Sequence, residues 1–159
     1  MSEENKIQQQ LVEKFSCLKD KVTVQRARRL FADVPFANFA EVFDWAVTKL
    51  GFSILATITG LDEGAALGAI YHIARIDGTV LNLHTSVPRE KPVLKTITAY
   101  FPAAEAYERE LVDLLGMQVD GLPTGNRYPL PDGWPANQFP LRKDWKPEML
   151  DKREITENV

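Results

Sequence analysis

A chain of 159 residues with 45% apolar content has room for one globular domain with a real core. Its net charge of −3 and pI near 5.5 argue against nucleic acid, which is bound by basic surfaces. A single cysteine, Cys17, excludes an intrachain disulfide and any cysteine-ligated cluster or zinc site built from this chain alone. From the N-terminus, residues 3–18 are expected to be helical, with Ile7, Leu11, Phe15 and Leu18 on one stripe. Val22 to Leu30 reads as a strand ending in a basic cluster, Arg26, Arg28 and Arg29. An exposed strand end is the simpler account of that cluster, an anion site the sharper one. Phe36 to Leu50 is the clearest helix, its stripe formed by Phe36, Phe39, Phe43, Ala46, Val47 and Leu50, with Gly51 at its end. Trp45 lies opposite that stripe, as a partly exposed aromatic or as a contact for a partner.

Three strands are expected next, over Phe52–Thr59, Leu67–Ile76 and Thr79–Val87. Asp77-Gly78 suits a two-residue hairpin turn pairing Ile76 with Thr79. On that register the two histidines, His72 and His84, point to opposite faces and cannot share a metal. Val93–Phe101 suggests a short helix. The next helix carries Ala104, Tyr107, Leu111, Leu114 and Leu115 on its buried stripe and ends at Gly116. Glu108 and Glu110 flank the stripe, while Arg109 and Asp113 share the outer face. Two carboxylates invite an acid–base role, but they diverge on a helix, and no His, Cys or Ser motif joins them. Charge-assisted bonds to Arg127 and Arg142 are the alternative use for them.

The stretch from Pro102 to Trp145 holds six of the ten prolines and two of the three tryptophans. Proline fixes φ and removes a donor, so the part after Gly116 cannot be an ordinary helix or central strand. The expected architecture is therefore α+β: residues 1–121 form a small, mostly antiparallel mixed sheet packed by helices. Residues 122–159 form an extended proline-rich strap lying on a surface, expected to be another protein's. The most apolar run, Leu50 to Leu61, is broken by Ser53, Thr57, Thr59 and Gly60 and falls short of the ~18 to 20 residues of a membrane span. Direct membrane insertion is not expected, and Met1–Asn5 lacks the features of a secretory signal. Nucleotide-loop, zinc-protease and serine-nucleophile motifs are absent.

The strap and the helix before it carry a resemblance. Glu108-Arg109-Glu110, Asp113 and Gly116 resemble the E-R-E-x-x-D-x-x-G signature of the 30 kDa subunit of the NADH-quinone oxidoreductases (complex I). Gly121, Pro123, Arg127, Leu130, Pro131, Asp132, Trp134 and the run Pro140, Leu141, Arg142, Lys143, Asp144, ending at Trp145, continue it. Upstream, Ile58–Asp62, Tyr71-His72 and Ser86–Arg89 also resemble the family. Leu122 stands where the family has histidine, and Asn126 replaces one of two arginines. With these departures the stretch is most similar to the branch found in membrane-bound, energy-converting NiFe hydrogenases and formate hydrogenlyases.

The resemblance implies an accessory subunit of an oxidoreductase hetero-oligomer, with no active site and no cofactor of its own. It would sit on the cytoplasmic side of the membrane and brace a large catalytic NiFe-hydrogenase-like subunit near a small iron–sulfur subunit. Nickel, iron and iron–sulfur clusters would belong to the parent complex. The 30 kDa subunit of a respiratory complex I is the alternative. A free-standing enzyme using Glu108 or Glu110 has the missing nucleophile and cofactor motifs against it. The residues expected to meet a partner are Glu108, Arg109, Glu110, Gly121, Pro123, Arg127, Pro131, Asp132, Trp134 and Pro140 through Trp145.

Overall fold

The structure is a computed structural model that describes residues 1–150. Residues 151–159 of the expected strap lie outside the described residues. The fold is α+β, with three helices and a mixed five-stranded sheet. Strand order is β1-β2-β5-β4-β3, built from Val22–Arg26, Arg29–Asp33, Val80–Pro88, Ala66–Ala74 and Ile54–Asp62. The described residues fall into two compact units: 1–59 with 68–86, and 60–67 with 87–150.

In the first unit, helix α1 (Glu3–Lys14) starts at Ser2, whose hydroxyl accepts from Asn5 N. It buries Ile7 and Leu11, and Phe15 and Leu18 continue the stripe through a 3-10 turn at Ser16–Leu18. Helix α2 (Phe36–Thr48) buries Phe39, Val42, Phe43 and Ala46, whereas Phe36 stays 46% exposed. Phe39 and Phe43 pack on Tyr71 of β4, with ring centroids 4.7 and 5.7 Å apart. Trp45 meets Phe15 edge-on at 5.7 Å, so this half-buried indole has its contact within its own chain.

Two expectations for this unit are corrected. The stretch Val22–Leu30 is not one strand: it turns at Ala27-Arg28, and β1 pairs antiparallel with β2. Arg28 takes the left-handed conformation (φ +59°) that the turn requires, and no glycine or asparagine announces it. The β4–β5 turn is also one residue longer than expected. Arg75 N donates to Thr79 O (2.9 Å), Gly78 N donates to Arg75 O (3.0 Å), and Gly78 has φ +83°. The Asp77 carboxylate accepts from Thr79 N (2.9 Å) and fixes this wider turn.

Pairing Arg75 rather than Ile76 with Thr79 slips the register by one and turns each side chain to the other face. Tyr71 and Ile73 are therefore buried along with Leu81 and Leu83. His72 and His84 share the other, half-exposed face instead of pointing apart. Each imidazole is engaged: His72 with Asn82 Oδ1 (2.7 Å) and Thr59 Oγ1 (2.9 Å), His84 with Asp33 Oδ1 (2.8 Å). Among the described residues no group of three or more His, Cys, Asp or Glu side chains is placed to hold a metal ion.

In the second unit, Val93–Phe101 is not a helix. Val93–Lys95 is strand β6, which pairs in parallel with β7 (Gln118–Asp120). Helix α3 (Ala104–Leu115) lies between them in sequence and buries Ala104, Leu111 and Leu115. A Cβ on Gly60 would collide with Leu111 and Leu115, so the absent side chain is what lets the helix approach the chain at Gly60.

Candidate partner interface

Helix α3 and residues 116–150 form one hydrogen-bonded assembly within the second unit. The helix ends at Gly116 (φ +69°), whose N–H donates to Val112 O, while Met117 N donates to Leu111 O. A helix leaves its last carbonyls without intrahelical partners. Here the strap supplies them: Leu141 N donates to Leu114 O (3.0 Å) and Arg142 Nε to Leu115 O (2.7 Å). The Arg142 guanidinium also lies over the Phe139 ring, 4.5 Å from its centroid. A Cβ on Gly116 would stand 2.5 Å from that ring, so glycine is required for its space as well as its φ.

The charged residues of α3 divide their work differently from expectation. Glu108 is fully buried and bonds to neither strap arginine. Its carboxylate accepts from Thr96 Oγ1 (2.6 Å) and Ile97 N (2.7 Å), fixing the turn after β6, and burial raises its pKa above the ordinary value. Asp113 takes the pairing role: Oδ1 accepts from Arg127 Nε (3.0 Å) and Oδ2 from Leu130 N (3.2 Å). Arg127 reaches on to Trp134 O (2.7 Å). Arg109 pairs backwards with Glu105 (2.7 Å), not forwards with Asp113, and donates to Pro123 O (2.7 Å) and Asn126 O (3.3 Å). The Glu110 side chain is half-exposed and makes no hydrogen bond or ion pair among the described residues.

A second anchor joins Asp62, Arg89 and Asp144, which the sequence named separately and did not bring together. The Asp62 side chain is 2% exposed and accepts from Arg89 Nη1 (2.7 Å), Lys143 N (2.8 Å) and Gly64 N (2.9 Å). Arg89 and the backbone donors hold this carboxyl well below the usual carboxylate range. The other arm of Arg89 reaches Asp144 Oδ1 (2.5 Å). One guanidinium thus ties the turn at Asp62 to the Lys143-Asp144 end of the strap. Positions 62, 89 and 144 are too far apart in sequence for any local pattern to join them.

Residues 122–150 thus make hydrogen bonds and ion pairs to their own chain. Arginines that donate to carbonyls at several points, and carboxylates that receive backbone N–H groups, give them a fixed path. Trp134 and Trp145 both donate to Gln138, at its carbonyl oxygen (2.8 Å) and side-chain oxygen (2.7 Å), with ring centroids 6.2 Å apart. Facing outward are Pro123, Pro131, Asp132, Lys143 and Asp144, with Tyr128 50% and Leu141 56% exposed. Gly121 is exposed with φ +82°, and Pro140 is half-buried. An open cavity of about 460 Å³ lies beside the start of α3, lined by Pro102, Ala106, Arg109, Asn126, Arg127 and Tyr128 among others. What this surface offers among the described residues is a carboxylate without an ion-pair partner and exposed apolar groups.

Residues 32–149 match the model of the respiratory-chain NADH dehydrogenase 30 Kd subunit family. The chain belongs to that family. It is 30% identical over 139 residues to a NADH-quinone oxidoreductase subunit of Moorella thermoacetica, covering 77% of this chain and 93% of that protein. It is 34% identical over 97 residues to membrane-bound hydrogenase subunit beta of Pyrococcus furiosus, covering 57% and 56%. It is also 34% identical over 125 residues to formate hydrogenlyase subunit 5 of Escherichia coli, covering 76% of this chain and 22% of that protein. Among solved structures, a chain of the membrane-bound sulfane sulfur reductase, an archaeal respiratory membrane complex, superposes with a TM-score of 0.79 at 26% identity, covering 95% of each. The coarse role follows: the chain is a subunit of a respiratory or hydrogenase membrane complex. Among its described residues no helix is long and apolar enough to cross a membrane.

Proposed function

We propose that the chain is a non-catalytic structural subunit in the peripheral arm of a membrane-bound, energy-converting NiFe hydrogenase. There it braces a large catalytic subunit beside a small iron–sulfur subunit, on the cytoplasmic side of the membrane. Nickel, iron and iron–sulfur clusters sit in those partners. The observation that carries the reading is the seated strap. Its arginines are spent on shaping residues 122–150, and the outcome is a surface with exposed Tyr128 and Leu141 and a Glu110 that has no ion-pair partner among the described residues. Leu122 and Asn126, at positions where the NADH branch carries histidine and arginine, support the hydrogenase assignment, as does the likeness to the two hydrogenase-type relatives.

A second reading, the 30 kDa subunit of a NADH-quinone oxidoreductase, is favoured by the Moorella relative, which is matched over nearly its whole length. The two separate in one experiment: the tagged chain is purified from detergent-solubilised membranes and its companions are identified by mass spectrometry. A NiFe-type large subunit with a small iron–sulfur subunit is expected. NADH-oxidising flavoprotein subunits would establish the second reading, and recovery of the chain alone would reject both.

A further inference from the structure

We propose that the β1–β2 and β4–β5 turns together form a docking surface for an acidic segment of another subunit in the same complex. This rests on the chain being a subunit, but it concerns the first unit and none of the residues of the strap. The two turns lie at one end of the sheet. Strand β2 runs parallel to β5 with Arg29 opposite Val80, and Val80 N donates to Arg28 O (2.9 Å). Arg29 Nη1 bridges both turns, donating to Arg28 O (2.7 Å) and Gly78 O (3.0 Å).

The charges at this end are unevenly spent. Arg75 takes up Glu3 (3.0 Å) and Asp77 (3.5 Å), and Glu3 also pairs with Lys6 (3.7 Å). The largely buried Glu4 accepts the backbone N–H of Arg28 (2.6 Å). Glu4 and Asp77 also feel the positive charge of Arg28 at longer range, but Arg26, Arg28 and Arg29 have no carboxylate within ion-pair distance among the described residues. This cationic group stands on a chain whose net charge is −3.

Two further observations separate this tip from an ordinary solvated turn. Ile76, at the summit of the β4–β5 turn, is 91% exposed, more than any other large apolar side chain among the described residues. Arg28 holds φ +59°, where glycine or asparagine carries less strain and a residue with a long side chain costs about 1 kcal/mol. Arg28 thus stands at a position whose backbone favours a smaller residue. Arginine forks suit bidentate pairing with carboxylates, and an aliphatic knob with flanking arginines is the chemistry of an interface anchor. A single isoleucine gives too little apolar burial to hold a membrane surface, where stable anchoring needs more than one signal.

The test places a photoreactive benzoylphenylalanine at position 76 of the full-length chain and irradiates the assembly purified from membranes. The expected product is a cross-link to another polypeptide of that assembly, at a segment rich in Asp or Glu. The variant carrying Arg26→Ala and Arg28→Gly should lower the cross-link yield at least tenfold with no drop in melting temperature, since glycine suits φ +59°. An assembly that contains the chain yet gives no adduct, a lipid adduct, or an adduct to a segment without acidic residues overturns the inference alone. Recovery of the chain without companions refutes the subunit reading, and the inference falls with it.

Discussion

Asp62→Asn tests whether the strap is held by the anchor described above. The buried carboxylate accepts three hydrogen bonds, one from the Arg89 guanidinium and two from the N–H groups of Gly64 and Lys143. Asparagine keeps the outline and one acceptor oxygen, but it loses the charge-assisted pair and turns an N–H₂ towards a donor. A hydrogen bond to a charged group contributes about 1.5–3 kcal/mol and a neutral one about 0.5–1.5. Arg89 is a fifth exposed and keeps Asp144, which favours the lower values. The expected loss is about 2–3 kcal/mol, or roughly 4–12 °C in melting temperature for a chain of this size. Thermal unfolding followed by circular dichroism at pH 7 reads it. The folded carboxyl titrates below the unfolded value of about 3.9, so its stabilisation is complete above that pH and is lost as pH falls towards the folded value. The gap between wild type and variant should therefore narrow below about pH 4. Equal melting temperatures at pH 7, or a gap unchanged from pH 7 to pH 2, would refute the reasoning.

Four other substitutions, at three positions, probe the same assembly and the core. Burial raises the Glu108 pKa, so its favourable contribution is present below the unfolded value of about 4.3 and is lost as pH rises through the folded one. Glu108→Gln keeps an acceptor for Ile97 N and turns its N–H₂ towards Thr96 Oγ1, which must then accept, and without the charge it should melt no lower than wild type at pH 7. Glu108→Ala leaves Ile97 N without its acceptor and should cost about 2–3 kcal/mol by denaturant titration. Gly116→Ala combines left-handed strain with a collision against Phe139, and should destabilise by about 2–4 kcal/mol and expose Trp134 or Trp145 to a fluorescence quencher. Thr85 is buried with an unpartnered hydroxyl, so Thr85→Val should raise stability by about 1 kcal/mol in the same titration.

Helices α2 and α3 were legible because their apolar residues recur at the helical period and glycines follow them. The Asp77-Gly78 turn was legible as a turn but not in its register, which depends on the Asp77 side chain capturing Thr79 N. That single residue of slip reversed the placement of both histidines. Strands β6 and β7 are three residues each, too short for alternation to show, and their parallel pairing depends on the helix between them. In the strap, arginine–carboxylate pairing was legible, but which carboxylate meets which arginine was not. Asp113 takes the strap-pairing role expected of Glu108, because the fold, not helical spacing, decides which carboxylate meets the turn after β6 and which meets Arg127.

The claim that this chain braces a catalytic partner without catalysing is tested most directly in cells lacking it. Membranes from such cells are compared with membranes from cells in which the wild-type chain is restored, measuring hydrogen evolution and the amount of the NiFe-type large subunit. The account predicts that both fall together in the membrane fraction without the chain and return together with it. A large subunit that stays in the membrane at full amount, with or without its activity, would contradict it.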